Sequence, residues 1–322
     1  MSTTHPLDVL FLTNFSDYCF RSIPAVAQMA ASLKVRLTIM HAYDPSHSSQ
    51  KDAEAHLHSF FPEADRYAAC QRVAVQGPLI PAVQRHLQEW PVNLLIAPAS
   101  DTVGLPRLGA GSTRSRLVKT CGVPVWTIGR RVQLQSIARP AKNVACWLDF
   151  YSPQTEHLAF AMEYARKLGA KLHLLRALPN IDEGMLSVGG QDSALTPATA
   201  AEEILRLCSG AVGRPEVHVT SGEGRTSLNR LLRQCNADVV FLGRESSWIA
   251  EWMGMGLHLG DGVPCPAVYV GEHLTIPVWS LETANVTAAP PAGNATWRDT
   301  RTSVGSGRST MTTAVLAELG LI

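Results

Sequence analysis

The sequence predicts two tandem doubly wound α/β domains, each built on a five-stranded parallel sheet of the Rossmann-like type, followed by a flexible tail. Blocks of sequence recur in the same order in the two halves of the chain, and each half alternates short apolar runs with amphipathic segments. The length agrees with two domains, since 322 residues exceed the roughly 250–300 at which a single core usually stops growing.

The repeat rests on four pairs of matching blocks. The apolar runs that end at Asn14 and Asp149 correspond at an offset of 135 residues (149 − 14). The other pairs are 36–41 with 171–176, 92–97 with 237–242, and 123–129 with 265–271. The later pairs have a larger offset, because the second half contains extra residues in a Gly- and Ser-rich loop at 180–197. This order indicates the tandem duplication of a unit of about 130 residues.

The spacing of apolar residues predicts the strands and helices within each unit. The apolar runs are short and nearly uninterrupted, which is typical of strands covered on both faces in a parallel sheet. Between them, apolar residues recur at helical spacing and predict the buried faces of helices. Ser152 and Pro153 suit the start of the helix that follows Asp149. The predicted buried faces are Ile23, Val26, Ala27 and Ala30; Ile80, Val83 and Leu87; Leu158, Ala161, Met162 and Ala165; and Leu228, Leu231, Leu232 and Cys235.

Composition narrows the classes of function. A formal net charge of +1 argues against a broad basic face for nucleic acid or anionic lipid. No apolar run approaches the roughly 20 residues that span a bilayer. The start of the chain lacks the pattern of a secretory signal, and the seven cysteines are dispersed, as in reduced cytosolic proteins. We therefore expect a cytoplasmic protein that binds neither nucleic acid nor membrane.

The predicted organisation has three parts. Residues 1–131 form the first domain and residues 140–272 the second. Residues 273–322 are rich in Ser and Thr and poor in large apolar groups, so they cannot bury enough surface to offset their chain entropy. A frayed end without a role and a docking segment both remain open for this tail.

Ligands in this architecture bind beyond the carboxyl ends of the strands. The candidate loops follow the first strand of each half, at Asn14 and Asp149, and the fourth, at 98–113 and 243–258. Glycines in the later loops allow backbone to approach phosphate, and helix N-terminal N–H groups and hydroxyls supply donors. The candidate residues are Gly243, Ser246 and Gly256 in the second half, and Gly104, Gly111 and Ser112 in the first.

With these residues the sequence resembles the universal stress protein family in its tandem form. The resemblance implies a fold related to the adenine-nucleotide α-hydrolases, an Asp after the first strand, and a G-x2-G-x9-G-[S/T] loop after the fourth. It also implies that the final strands of the two copies pair, which brings residues 123–128 and 266–270 together. The implied partner of each copy is therefore the other copy, with a homodimer of the whole chain left open.

Neither copy carries the complete motif. The second keeps Asp149, Gly243 and Gly256, but has Ser246 at the second glycine and Leu257 at the hydroxyl position. The first keeps Gly111 and Ser112, but has Asn14, Pro98 and Asp101 at the other positions. Pro98 removes a backbone donor, and Asp101 places negative charge near the phosphates. The resemblance thus implies a vestigial site in the first copy and a weakened site for ATP with Mg²⁺ in the second.

Several residues have two possible interpretations, one functional and one structural. Asp149 accepts from an adenine amino group or caps a helix. Arg114 and Arg116 pair with an anion or lie on a solvated helix face, and His258 contacts phosphate or is an ordinary first-turn residue. The spacing of Trp248 and Trp252 favours a hydrophobic contact between the copies. His56 and His58 have no third ligand at metal spacing, so we predict no metal site.

The common motifs of NTPases, serine hydrolases and zinc proteases do not occur in the sequence, and no loop offers a convincing nucleophile and base. We therefore predict no catalytic residues and a non-catalytic stress-response or signalling protein. The alternatives are an ATP-binding sensor that uses the second copy, and an enzyme or electron-transfer relative that binds another adenine-containing ligand.

Overall fold

The computed structural model describes residues 6–98, 113–129, 132, 137, 139–148, 156–178, 196–207, 214–222, 224–243 and 262–270. The strands within these ranges are β1 (Leu7–Leu12), β2 (Val35–Tyr43), β3 (Ala69–Gln76), β4 (Leu94–Ile96), β5 (Val125–Thr127), β6 (Asn143–Trp147), β7 (Lys171–Leu178), β8 (Glu216–Ser221), β9 (Val239–Gly243) and β10 (Ala267–Val270). The helices are α1 (Asp17–Ser32), α2 (Gln50–Phe60), α3 (Ala64–Tyr67), α4 (Leu79–Glu89), α5 (Thr113–Thr120), α6 (Glu156–Leu168), α7 (Pro197–Leu207) and α8 (Gly224–Gln234).

All ten strands lie in one sheet with the order β3-β2-β1-β4-β5-β10-β9-β6-β7-β8. Within each half, neighbouring strands are parallel. Each half therefore has the doubly wound order in which the first strand lies between the second and the fourth. The predicted α/β fold is confirmed.

The two halves meet where β5 pairs with β10, and this pairing is antiparallel. Three residue pairs form it: Val125 with Tyr269, Trp126 with Val268, and Thr127 with Ala267. All six residues are buried. Each of these strands also pairs with a parallel neighbour of its own half, so the junction covers what would otherwise be two exposed sheet edges.

Apolar side chains form one cluster on each face of the sheet, and both clusters cross the junction. One contains Phe11 of the first half and Phe241 of the second. The other contains Leu95 and Val240. The predicted helix stripes supply much of this core, although Leu87 and Met162 are only half-buried. The two halves therefore share their hydrophobic cores as well as a sheet.

A glycine with positive φ follows the third strand of each half. Gly77 has φ 106° and Gly222 has φ 112°, a region that L side chains rarely adopt. The Gly77 N–H donates to Tyr43 O at 2.9 Å, and the Gly222 N–H donates to Leu178 O at 3.0 Å. The duplicated units thus keep the same turn and the same backbone hydrogen bond.

Some predictions fall outside the described residues. These are the helix start at Ser152 and Pro153, the loop at 180–197 apart from its last two residues, and the tail at 273–322. Cys265 is buried and lies two residues before β10. None of the six cysteines placed by the structure forms a disulfide, and within the described ranges no helix is long and apolar enough to cross a membrane.

Trp126 provides a test of the shared core. Its side chain is 4% exposed at the junction, so we expect Trp126→Ala to lower the free energy of unfolding by about 3–5 kcal/mol. The matched control is Trp90→Ala, because Trp90 is 55% exposed and its loss should change that free energy by less than about 0.5 kcal/mol. Urea unfolding followed by circular dichroism measures both variants. An equal, small loss in the two variants would contradict this account of the junction.

Candidate functional site

The predicted ligand site lies at the carboxyl ends of the strands. Of the residues predicted to hold a nucleotide, Gly243 is described; it is the last residue of β9 and is buried. The other predicted residues lie outside the described ranges: Asp149, Ser246 and Gly256 of the second half, and Gly111 and Ser112 of the first. Residues next to the predicted site in sequence lie within the described ranges.

In the first half, Asn14 holds the start of α1. Its Oδ1 accepts from the Ser16 N–H at 3.2 Å and from the Cys19 thiol at 3.2 Å. This is the arrangement of an Asx turn, in which a short side chain satisfies donors at a helix start. The oxygen that occupies the position of the family's aspartate is therefore already engaged within the protein.

An aromatic cluster fills the space beside Asn14. Phe15 has φ 58°, which is unusual for a residue other than glycine, and its ring lies 4.4 Å from the His41 ring. The rings of His56 and Phe60 lie 5.6 and 5.7 Å from Phe15. His41 Nδ1 donates to Thr13 O at 2.9 Å, and burial lowers the pKa of His41. The imidazole is therefore neutral at pH 7, and the crevice of the first half offers an aromatic surface.

The two arginines of α5 have different environments. Arg114 is buried, and its Nη1 donates to Thr127 Oγ1 at 3.0 Å. Arg116 is exposed. The reading of a solvated helix face therefore holds for Arg116 and is wrong for Arg114, which ties α5 to β5 next to the junction. Pro98, two residues after β4, is half-buried and has no N–H to offer.

The second half has an ion pair where the first has His41. The equivalent residue is Arg176 on β7, which is buried, and its Nη1 lies 3.0 Å from Glu203 Oε2 on α7. Sequence reasoning did not identify this pair. Its sequence signal was a charged residue between apolar ones near the carboxyl end of the strand. A charged pair near the carboxyl end of β7 gives this crevice a chemistry different from that of the first half.

His157 is a buried residue of α6. Its Nε2 donates to Trp147 O at 2.9 Å, at the end of β6. Nδ1 is buried, and within the described part of the chain it has no hydrogen-bond partner. Burial lowers the pKa of His157, so the ring is neutral at pH 7 and its Nδ1 is a hydrogen-bond acceptor.

Metal-ligating side chains converge at the other end of the second half, near the amino ends of its strands. Among the described residues, His173, Glu216 and His218 are the group whose ligand atoms lie within 4.8 Å of one another. His56 and His58, considered from the sequence, are exposed on α2. Sequence analysis did not identify this group. Its sequence signal was His173 on one strand and, on the neighbouring strand, Glu216 and His218 two residues apart.

The fold defines a class: an α/β protein of two doubly wound units joined in one sheet. Residues 140–279 match the model of the universal stress protein family. The resemblance seen in the sequence is confirmed for this part of the chain. None of the curated proteins compared with the chain matches it significantly in sequence.

Solved structures share the fold at low identity. A universal stress protein from Archaeoglobus fulgidus DSM 4304 matches with a TM-score of 0.59 and 14% identity, over 82% of this chain and 96% of its own. A protein from Pseudomonas aeruginosa UCBPP-PA14, described under the same family name, matches with a TM-score of 0.54 and 12% identity, over 83% and 93%. A universal stress protein solved in complex with cAMP matches 39% of this chain and 98% of its own, with 22% identity and a TM-score of 0.33.

The buried His157 makes stability depend on pH. Its pKa is lowered in the folded protein, whereas an unfolded histidine titrates near 6.5. Below about pH 6.5 the unfolded chain therefore binds a proton that the native His157 does not, and the free energy of unfolding falls as pH falls. His41 and His86, whose pKa values burial also lowers, add to this slope.

We expect His157→Gln, in which an amide can still donate to Trp147 O, to reduce the loss of stability between pH 7 and pH 5. Urea unfolding at a series of pH values measures the slope, and the variant's stability at pH 8 gives its baseline. An unchanged slope would mean that His157 takes up its proton equally in the folded and unfolded chain.

Proposed function

We propose that the protein is a non-catalytic stress-response or signalling protein of the universal stress type, in which two domains, residues 1–131 and 140–272, act as one intramolecular pair. The observation that carries this proposal is the antiparallel pairing of β5 with β10. It joins the halves through a contact that a homodimer of single domains would have to form between two chains. The tail at 273–322 and a cytoplasmic location belong to the same proposal.

The surroundings of the first crevice support a degenerate nucleotide site. The Asn14 carboxamide has its oxygen engaged with α1, and a neutral amide gives a weaker acceptor for an adenine amino group than a carboxylate. Phe15 packs on His41 beside it. Pro98 contributes no N–H after β4, where the family's loop begins with a glycine. These groups form a surface suited to contact or packing rather than to phosphate binding.

The titratable side chains described near the crevices support a non-catalytic role. A catalytic base or nucleophile must reach substrate with the required protonation state. Arg114 donates to Thr127 and Arg176 pairs with Glu203, while His41 and His157 donate to backbone carbonyls. These side chains therefore hold the fold together, and regulation would occur through ligand or partner binding.

The alternative is an ATP-binding sensor that uses the second domain with slow or no hydrolysis. Gly243 at the end of β9 favours it, since a phosphate site needs close backbone approach. In this alternative, Asp149, Ser246 and Gly256 complete the site, and Mg²⁺ accompanies the nucleotide.

Calorimetric titration of Mg·ATP into the full chain separates the two functions. The non-catalytic proposal predicts no saturable heat at millimolar ATP and no phosphate release. Saturable binding of one nucleotide per chain that is lost in Asp149→Ala and Gly256→Val, but kept in the matched first-half variant Asn14→Ala, would establish the sensor instead. Binding that Asn14→Ala abolishes would contradict both functions.

The pairing of the two domains is tested by a fragment of residues 1–131. We expect this fragment to self-associate at concentrations where the full chain does not, because β5 then presents an unpaired apolar edge. Sedimentation equilibrium of both proteins over a concentration series measures the difference. A fragment that stays folded and monomeric at every concentration would mean that the junction is dispensable.

A further inference from the structure

We propose that His173, Glu216 and His218 form a site for a divalent transition-metal ion, with Zn²⁺ as the best fit, at the outer edge of the sheet in the second half. The site goes beyond the proposed function. It lies at the amino ends of β7 and β8, whereas the nucleotide loops follow the carboxyl ends of the strands.

The strand register brings the three side chains to one face. β7 and β8 are parallel, and His173 is paired with Glu216 while Leu175 is paired with His218. Because side chains alternate along a strand, Glu216 and His218 point to the same side of the sheet, and both reach His173. Its Nδ1 lies 3.0 Å from His218 Nε2 and 3.4 Å from Glu216 Oε2.

These separations match those of ligands around zinc. With bonds of about 2.0–2.1 Å and tetrahedral angles, two ligand atoms lie about 3.3 Å apart. The distances from Nδ1 to its two neighbours, 3.0 and 3.4 Å, bracket that value. All three ligand atoms lie within 4.8 Å of one another, so a shift of the exposed Glu216 carboxylate brings them around one ion. Water takes the fourth position because Glu216 is exposed and His218 half-buried.

Asn143 fixes the orientation of the buried ligand. Its Nδ2 donates to Asn236 O at 3.3 Å, so its Oδ1 faces His173 Nε2 at 3.2 Å and accepts from it. The proton of the neutral ring is thereby placed on Nε2, and the lone pair of Nδ1 is directed at His218 and Glu216. A second hydrogen bond of this kind is the usual support of a metal-binding histidine.

The remaining polar contacts are compatible with an ion. Without metal, the His218 Nε2–H donates to His173 Nδ1. When an ion binds, it takes the place of this proton. The proton moves through solvent to Nδ1 of His218, so the ring changes tautomer and stays neutral. Lys171 Nζ contacts the other carboxylate oxygen, Glu216 Oε1, at 3.2 Å, and leaves Oε2 for the metal. The Lys171 side chain is 69% exposed, so water and salt screen its repulsion of a cation.

The first half shows that the fold does not require these residues. The equivalents of His173, Glu216 and His218 are Thr38, Gln71 and Val73, and β2 still pairs with β3 in the same register. Asp8 and Arg36 form an ion pair where the second half has Asn143 and Lys171. The ligand set is therefore particular to the second half. At the same positions in the first half, the strand pair carries the side chains of Thr38, Gln71 and Val73.

The donor set selects the class of ion. Two imidazoles and one carboxylate suit Zn²⁺ and, with different geometries, Co²⁺, Ni²⁺ and Cu²⁺. Mg²⁺ and Ca²⁺ prefer oxygen ligands, so we expect them not to compete for this site.

The test uses the full chain after treatment with EDTA and dialysis. Calorimetric titration with ZnCl₂ should show one saturable site per chain, and Zn²⁺ should raise the melting temperature. His218→Ala and Glu216→Gln should each weaken binding at least about tenfold, and Asn143→Ala should weaken it about 10–100-fold. The control is the double variant His56→Ala/His58→Ala, which removes two exposed histidines from α2 and should bind as the wild type does.

His218 and Glu216 are solvent-accessible, so their variants should fold, and far-UV circular dichroism checks that they do. Co²⁺ should give the intense visible bands of tetrahedral coordination in the wild type and lose them in His218→Ala. The proposal is overturned if the wild type shows no saturable Zn²⁺ binding, if a folded His218→Ala binds Zn²⁺ as tightly as the wild type, or if the His56/His58 double variant abolishes binding.

Discussion

The antiparallel pairing of β5 with β10 is the constraint on which the rest of the structure depends. Each half alone would end in a short strand with an unpaired edge, and the pairing of Trp126 with Val268 and their neighbours removes both edges at once. It also reverses strand direction across the junction. The carboxyl ends of the two halves therefore lie at opposite ends of the sheet, and the two crevices cannot combine into one site.

The two halves keep the same backbone but have diverged in chemistry at both ends of their strands. At the carboxyl end, His41 packs against Phe15 in one half, and Arg176 pairs with Glu203 in the other. At the amino end, Thr38 in one half corresponds to His173 in the other. The two halves keep the same backbone hydrogen bond at the turn after the third strand while the side chains at their strand ends differ. Among the described residues, the group of metal-ligating side chains lies in the second half.

The spacing of apolar residues predicted the fold because it reflects which side chains of each helix and strand are buried. Val26 and Leu232 belong to predicted stripes and are each 1% exposed, and uninterrupted apolar strands require a sheet covered on both faces. The side-chain clusters were not predictable in this way. His173 and Glu216 lie 43 residues apart (216 − 173) and meet only through strand register. Arg114 is buried because α5 packs beside Thr127, and the positive φ of Phe15 reflects packing on His41 that no local pattern encodes.

The position of the proposed metal site determines what an ion would do to the protein. β8 is the outer strand of the sheet, and outer strands open first because they have one hydrogen-bonded neighbour instead of two. An ion held by His173 of β7 and by two residues of β8 binds only when that pair is closed, so it adds RT ln(1 + [Zn²⁺]/Kd) to the stability of the closed state. The far end of the sheet, where β3 pairs with β2, carries no such group of ligands among the residues that the structure describes. A metal would therefore stabilise one edge of the ten-stranded sheet selectively, and the free-ion concentration would set how often that edge opens to a partner.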